Sequence, residues 1–135
     1  MSFYDQGQRI GVMTTEPVGL LDYLAPEGGV ADGQIVICPL GPRRVMGVVW
    51  GPGEGSFDLA KLRPIVRAVD AAPLSDEMRE FLTRAGEYTL TPLPLMIRMA
   101  MRAPDLEKPP AERRIILRSG PEPSRMTDAR AAVLR

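Results

Sequence analysis

Residues 31–51, ADGQIVICPLGPRRVMGVVWG, decide how this chain is predicted to fold. The run QIVICPL at 34–40 is apolar and rich in β-branched residues, which is typical of a buried strand. The loop GPRR at 41–44 carries turn residues, and the apolar run that follows it returns as a partner strand. Gly47 lies inside that partner strand, where a glycine indicates a bulge or a close backbone approach. The stretch therefore predicts an antiparallel hairpin.

Shorter strands are expected on both sides of the hairpin. The segments with strand character are RIGVMT at 9–14, LLDYL at 20–24 and LRPIVRAVD at 62–70. Pro64 lies near the start of the last segment and has no backbone N–H, so this strand is predicted to lie at an edge of the sheet or to begin there. Short strands in this arrangement favour a small, curved, barrel-like sheet.

Helical patterns begin after the strands. Ser75 is a suitable N-cap, and two acidic residues follow it in the first turn. The apolar residues of this first helix recur at i, i+3, i+4 and i+7, and they are Met78, Phe81, Leu82 and Ala85. A second helix is expected through PLPLMIRMAMR at 92–102, with Pro94 disturbing its first turn. Strands followed by helices predict the α+β class.

The chain changes character after residue 103. The segments APDLEKPPAERR and SGPEPSR are rich in proline and charge, as linkers and extended C-terminal tails are. The segment MTDARAAVLR at 126–135 has the pattern of a helix start, with Thr127 as its N-cap. We therefore expect a domain at 1–103, a linker at 104–125 and the truncated start of a further domain at 126–135. A frayed natural tail is the alternative.

Composition and charge exclude several classes of function. Lys plus Arg and Asp plus Glu both number 17, so no net charge attracts the whole molecule to nucleic acid or membrane, and such binding has to come from a local patch. There is no histidine, the commonest general base and metal ligand, and a single cysteine rules out an intrachain disulfide. Because the sequence shows no signal peptide and no apolar run of membrane-spanning length, a cytoplasmic location without membrane contact is expected.

The residues that could carry enzyme chemistry are better explained as structure. Cys38 lies in a predicted buried strand and has no histidine to activate it, so it is expected in the core. The loop GPGEG at 51–55 is glycine-rich, but it lacks the lysine of a phosphate-binding loop and is interpreted as flexible. Catalytic residues, metal ligands and a cofactor are therefore not expected in this chain.

Four basic residues lie close to two predicted strand ends. They are Arg43 and Arg44 on the hairpin loop, and Lys61 and Arg63 at the start of a later strand. A small curved sheet would bring these two sites together, and such a cluster would attract one or two phosphates. An ordinary solvated surface is the alternative.

The order of four segments resembles that of a known family. LLDYLAPEG is followed by ADGQIVICPLGPRRVMGVVWG, then by LRPIVRAVD, and finally by EYTLTPLPLMIRMAM. This order is similar to that of the N-terminal 3′-DNA-end-binding domain of the primosomal protein N′ helicases, which act in replication restart. The resemblance covers about residues 9–103 and depends on the order and spacing of the segments together.

Carried over position by position, the resemblance implies a binding site for the 3′ end of DNA. The implied site residues are Leu21, Asp22, Tyr23, Gly41 and Arg63, with Arg43, Arg44 and Lys61 as possible phosphate contacts. Leu21 stands where the family usually has Phe, so base stacking through that position is lost and only apolar contact remains. Leu40 also replaces a usual Phe, and Arg63 replaces a Lys while keeping the positive charge.

The resemblance also implies a function. The chain would recognise, without sequence specificity, the 3′-OH end of the nascent leading strand at a stalled fork. It would have no catalytic activity itself, whereas full-length relatives are ATP-dependent 3′-to-5′ DNA helicases, for which ATP and zinc are implied. The implied partners are forked DNA, the helicase and winged-helix domains of the same full-length chain, and other primosome proteins. Residues 126–135 would begin the winged helix.

The alternative is a protein-interaction or scaffolding domain that does not bind DNA directly. The Met-rich second helix, with Met96, Met99 and Met101, would then dock a partner domain unless these side chains belong to the core.

Asp22 provides a test of the DNA-binding hypothesis. A carboxylate repels phosphates but accepts a hydrogen bond from a hydroxyl, so an exposed Asp22 near Gly41 and Arg63 would favour a 3′-OH over a 3′-phosphate. In a regular strand Leu21 and Asp22 face opposite sides, so the resemblance predicts an irregular backbone at this point. If Asp22 instead caps a neighbouring backbone, its role is structural.

Overall fold

The computed structural model of the chain describes residues 2–55, 58–103, 106–107, 120, 125 and 127–134. In chain order the strands and helices are β1 (Phe3–Tyr4), β2 (Arg9–Thr14), β3 (Leu20–Leu24), β4 (Val30–Ala31), β5 (Ile35–Leu40), β6 (Arg43–Gly51), a 3-10 turn (Leu59–Lys61), β7 (Arg67–Ala68), α1 (Asp76–Thr89), α2 (Leu93–Ala100) and α3 (Asp128–Leu134). Strands precede helices, so the predicted α+β class is confirmed.

The predicted hairpin is the middle of the main sheet. Its five strands are antiparallel in the order β3-β2-β6-β5-β7, and β1 pairs with β4 separately. The turn between β5 and β6 is shorter than predicted, because Leu40 pairs directly with Arg43. Gly41 has a φ of 59°, as the first central position of a type II′ turn requires. A Cβ on Gly47 would lie 2.6 Å from Val12 Cγ1, which confirms the predicted close approach.

Most of the segment predicted as a strand at 62–70 crosses between the two edges of the sheet instead. Ile65 N–H donates to Leu24 O at the end of β3 (3.2 Å), whereas Val66 N–H donates to Ile37 O in β5 (2.7 Å). Because successive donors serve different strands, only β7 pairs as a strand, and it lies at the edge as expected. The crossing segment joins the two edges, but the sheet itself does not close into a barrel.

Buried side chains form two clusters on opposite faces of the sheet. Alternation along β5 separates them, since Val36 and Cys38 belong to one cluster and Ile35 and Ile37 to the other. The second cluster also contains Leu82 and Ile97 of the helices, and we call it the helix-side cluster; the first is the far-side cluster. Cys38 is fully buried, and burial raises the pKa of its thiol to about 11. Its predicted core position is confirmed.

Helix α1 begins as predicted but buries a different face. Ser75 Oγ accepts a hydrogen bond from Met78 N–H (3.1 Å), which confirms the N-cap. Of the predicted apolar stripe only Leu82 is buried, while Phe81 is 63% exposed. The prediction of that stripe was wrong because the helix packs along Leu82 and Gly86, one turn apart.

Helix α2 tolerates its proline. Pro94 is buried in the first turn, where a missing N–H removes no intrahelical hydrogen bond. Met96 and Met101 pack in the helix-side cluster, whereas Met99 is 60% exposed. The Met run is therefore shared between core and surface.

Much of the predicted linker at 104–125 lies outside the described residues. Leu106 packs on the helix-side cluster, and helix α3 forms where a helix start was expected. The division of the chain into domains stays a prediction. In the described part of the chain, none of the helices has the length and hydrophobicity of a membrane span, and no group of three or more His, Cys, Asp or Glu side chains is placed to hold a metal ion.

Candidate nucleic-acid interface

An open groove of about 230 Å³ lies beside β3, and we call it the β3 groove. Three segments line it: residues 21–23 in β3, residues 39–41 at the hairpin turn, and residues 61–63. These segments are far apart in sequence and meet because the crossing segment returns to the end of β3. Every residue predicted to bind the DNA 3′ end lines this groove, as does Lys61.

Strand β3 is regular, and its outer edge faces the groove. Its register with β2 is unbroken from Leu24 to Leu20, so the predicted irregular backbone was wrong. Leu24 N–H points away from β2 and donates to Arg63 O (3.0 Å). Because backbone groups of a strand alternate in direction, the N–H and C=O of Asp22 also point away from β2. The groove is thus bordered by the main chain of Asp22.

Leu21 and Tyr23 turn their side chains towards the far-side cluster. Leu21 is half-buried against that cluster, and it also lines the groove. Tyr23 is buried, and its hydroxyl donates to Pro39 O (2.7 Å). Burial raises the pKa of the Tyr23 phenol well above its ordinary value. Tyr23 therefore holds β3 against the end of β5 and fixes that wall of the groove.

The side chain of Asp22 lies on the opposite face of β3, under the loop at 51–55. Its Oδ1 accepts from Glu54 N–H (2.9 Å) and its Oδ2 from Gly55 N–H (3.1 Å). Arg9 Nη1 lies 3.6 Å from Oδ2, and only 4% of the Asp22 side chain is exposed. A Cβ on Gly53 would lie 2.5 Å from Oδ1 and 2.8 Å from Arg9 Cγ, so any larger residue there would displace the carboxylate or the Arg9 side chain.

These contacts correct the prediction that Asp22 presents a free carboxylate. The side chain is buried, has a cationic neighbour and accepts two backbone N–H groups, which is the structural role of a cap. The loop at 51–55 was predicted to be flexible, but two of its N–H groups are fixed by Asp22. Asp22 stays a predicted site residue through its main chain rather than through its carboxylate.

Two exposed cationic side chains lie at the mouth of the groove. Arg63 is exposed, and its Nη1 donates to Gly41 O (3.3 Å), which places the guanidinium directly at the hairpin turn. Lys61 is also exposed and ends the 3-10 turn, whose N-cap Asp58 accepts from Ala60 N–H (3.2 Å). The two positive charges and the turned-away carboxylate make the mouth of the groove attractive to an anion.

The other two predicted phosphate contacts lie apart from this groove. Arg43 and Arg44 occupy the start of β6 and are exposed, but neither lines the groove. Arg43 Nη1 lies 3.9 Å from Glu16 Oε1, which partly offsets its charge. The sheet thus brings Lys61 and Arg63 to the turn, while Arg43 and Arg44 continue along the same hairpin.

Several residues that shape the site were not predicted from the sequence. They are Arg9 beside the Asp22 carboxylate, Glu54 and Gly55 with their loop N–H donors, and the wall residues Pro39 and Leu62. The sequence feature that could have indicated the loop donors is the pair of glycines at 53 and 55. Glycine-rich loops expose backbone N–H groups that a nearby acceptor can bind. The acceptor itself is more than thirty residues away in sequence and becomes visible only in the fold.

Comparison with known families agrees with this geometry. The family model described as the 3′DNA-binding domain (3′BD) of PriA matches residues 12–102, which is more than half of the chain. The match begins inside β2 and ends just after α2, so it includes all three segments of the β3 groove. No curated protein matches the chain.

Proposed function

The chain belongs to the PriA 3′DNA-binding domain (3′BD) family, and on that basis we propose that its β3 groove holds the 3′-terminal nucleotide of a DNA strand. One observation supports the proposed 3′-end binding most strongly. The main chain of Asp22, the turn residue Gly41 and the cations Lys61 and Arg63 all line the same groove. The family consists of DNA-binding rather than catalytic domains, so the activity proposed for this chain is binding.

The groove offers a separate surface for each part of a nucleotide. Lys61 and Arg63 suit the phosphodiester on the 5′ side of the terminal nucleotide, since both are exposed cations at the mouth. Leu21, Leu40 and Leu62 provide apolar contact for the sugar and base. None of these groups reads a pattern of base edges, so we expect binding with little sequence preference.

Preference for a 3′-OH follows from the strand edge rather than from a free carboxylate. The Asp22 carbonyl faces the groove and can accept a hydrogen bond from a hydroxyl. An ionised 3′-phosphate offers only acceptors to that carbonyl, so it leaves the carbonyl unsatisfied and adds like-charged oxygens beside it. A strand that continues past the groove has no free hydroxyl to donate.

We further propose that the domain serves a replication-restart helicase at stalled forks. A full-length helicase would also contain a winged-helix domain, an ATP-dependent helicase motor and a zinc-binding region of cysteines. Other primosome proteins would bind this helicase at the fork. The proposed location is cytoplasmic. In that setting the β3 groove would select forks that carry a nascent 3′ end.

Charge removal in the groove tests the proposal. Binding of a fluorescent duplex with a recessed 3′-OH is measured by anisotropy at low salt for Lys61→Gln and Arg63→Gln, with Arg84→Gln on α1 as the matched control. Each groove variant is expected to weaken binding about tenfold, the effect of one charge-assisted contact. The control, whose side chain is exposed on the helix side, is expected to bind normally.

An unchanged affinity for both groove variants would contradict the proposal. Folded protein that binds no DNA at any salt concentration would instead favour the interaction-domain alternative, for which the exposed apolar residues of the helices are the supporting observation.

A further inference from the structure

Hydrogen bonds tie the three walls of the β3 groove to one another. The Tyr23 hydroxyl donates to Pro39 O (2.7 Å), which joins β3 to the end of β5. Leu24 N–H donates to Arg63 O (3.0 Å), and Arg63 Nη1 donates to Gly41 O (3.3 Å), so the segment that carries Arg63 is joined to both of the other walls. Separate contacts therefore fix the width of the groove, and a wall that moves outward breaks at least one of them.

Each wall contributes an aliphatic side chain to the inner surface of the groove. These side chains are Leu21, Leu40 and Leu62, and all of them are half-buried. Aliphatic surface gains free energy when the face of a flat, largely apolar group covers it and displaces water. In a nucleotide that group is the base, since the sugar and the phosphate carry the polar oxygens. The groove therefore favours a ligand whose base enters it.

The fixed width limits what can enter together with that base. The groove has a volume of about 230 Å³, and three segments of the chain wall it. A base pair is two bases wide and lies between two backbones, so its second base would have to take the place of a wall. A paired terminal nucleotide would reach only the mouth, where Lys61 and Arg63 lie, and would leave the aliphatic surface uncovered. Full occupation of the groove therefore requires a base that has no partner.

We propose that the β3 groove receives the 3′-terminal nucleotide in an unpaired state, so that its preferred DNA carries a frayed or mismatched 3′ end. This preference rests on the proposed 3′-end binding and specifies the class of end that is bound. A matched terminal pair must be opened and unstacked before its base can enter, which lowers the affinity, whereas a mismatched base has already lost its pairing energy. Because the groove reads no base edges, any of the four bases can be the unpaired one.

Duplexes that differ only in the template base opposite the 3′ end of the primer test this preference. One fluorescent primer with a recessed 3′-OH is annealed to templates that give either a matched G·C pair or a mismatch at the last position. Each duplex is titrated with the full chain, and binding is measured by anisotropy at low salt. The mismatched end is expected to bind about tenfold more tightly, the factor that the stacking of one base-pair step supplies. Equal affinity for the matched and mismatched ends would overturn the proposal.

A fluorescent base reports the state of the terminal nucleotide directly. 2-Aminopurine placed opposite thymine at the 3′ end is quenched by stacking in the free duplex, and entry into an aliphatic groove relieves this quenching. Its emission is therefore expected to rise when the chain binds. The same base placed in the interior of the duplex serves as the control and is expected to stay quenched. Emission that does not rise at the 3′ end would show that the terminal base stays stacked, and would overturn the proposal.

Leu62→Ala tests whether the base reaches the aliphatic surface. The variant should bind the mismatched end roughly fivefold more weakly than the native chain, because apolar contact with the base is lost. Leu59→Ala is the matched control, since Leu59 is an exposed leucine in the adjacent 3-10 turn and does not line the groove. Thermal melts check that both variants are folded. Equal affinity of the two variants for the mismatched end would place the base outside the groove and overturn the proposal.

The unpaired state and the proposed 3′-end binding fail in different ways. A native chain that prefers a 3′-OH to a 3′-phosphate, but binds matched and mismatched ends equally, would overturn only the unpaired state. A native chain that binds 3′-OH and 3′-phosphate ends equally would contradict 3′-end binding, and the unpaired state with it.

Discussion

Asp22 joins two parts of the chain that lie 32 and 33 positions apart in sequence. Its carboxylate accepts two loop N–H groups on one face of β3, while its main chain borders the β3 groove on the strand edge. One residue therefore holds the loop at 51–55 in place and contributes to the proposed binding surface through different atoms.

Replacing this carboxylate tests the cap. Asp22→Asn should lower the free energy of unfolding by about 1–3 kcal/mol, because one acceptor and the charge opposite Arg9 are lost from a buried position. Urea denaturation measures the change, with the exposed Asp70→Asn as control. Gly53→Ala should act in the same direction, since its Cβ would collide with Asp22 Oδ1. Stability equal to that of the control would contradict the cap.

The buried thiol of Cys38 makes the fold sensitive to alkaline pH. The ordinary pKa of 9.0 is raised to about 11 in the folded chain, so the unfolded state loses this proton first and stability falls as pH rises from 9 to 11. The contribution is about 2–3 kcal/mol over that window. Cys38→Ala should lose less stability between pH 9 and 11 than the native chain does. Equal losses, measured by urea denaturation at each pH, would refute this.

The turn between β5 and β6 contributes both to the fold of the hairpin and to the β3 groove. Gly41 has a φ of 59°, and its carbonyl accepts from Arg63. Apart from its two chain neighbours, none of the described residues has an atom within 4 Å of the position of a Cβ there. Glycine is therefore favoured at position 41 by its backbone conformation and not by crowding from neighbouring atoms.

Substitution of Gly41 tests its effects on stability and on DNA binding. Gly41→Ala should cost about 1–2 kcal/mol of unfolding free energy, because alanine disfavours the left-handed region, and should weaken DNA binding by shifting the carbonyl that holds Arg63. Gly41→Asn is the matched control and should recover most of the stability, since asparagine tolerates a positive φ. Thermal melts measure the change in stability, and anisotropy measures the change in DNA binding. Equal stability of the alanine variant and the native chain would contradict the turn assignment.

Local chemistry explains which elements could be predicted from the sequence. The hairpin, the Ser75 cap and the edge position of the segment near Pro64 each follow from neighbouring residues. The crossing at 62–70 could not be predicted, because its donors serve two strands that only the fold brings together. The buried face of α1 was also missed, since the helix period allows several faces and the packing partner selects the one that carries Leu82 and Gly86.

The same distinction holds for the site. The segments at 21–23, 39–41 and 61–63 were each identified, and the structure brings them to one groove. The sequence does not predict the burial of the Asp22 carboxylate, because its partners come from a distant loop whose glycines indicate flexibility.

For the whole molecule, zero net charge means that DNA binding relies on local cations alone. With Lys61 and Arg63 as the groove cations, about two phosphates are neutralised, so the logarithm of the affinity should fall with the logarithm of salt concentration with a slope of roughly −1.5. Titrations at several salt concentrations measure this slope, and Arg63→Gln should reduce its magnitude by about 1. A slope several times steeper would show that Arg43, Arg44 or other cations dominate binding.

Selection of a free 3′-OH end by the β3 groove predicts that the terminal group of the DNA strand controls its affinity. The same forked DNA is prepared with a recessed 3′-OH or a recessed 3′-phosphate, and its affinity for the native chain is measured by anisotropy at low salt. The 3′-OH fork is expected to bind at least about tenfold more tightly, because the phosphate cannot donate to the Asp22 carbonyl. Arg63→Gln should weaken both forks and keep the preference. Equal affinity of the native chain for the two forks would contradict the claim.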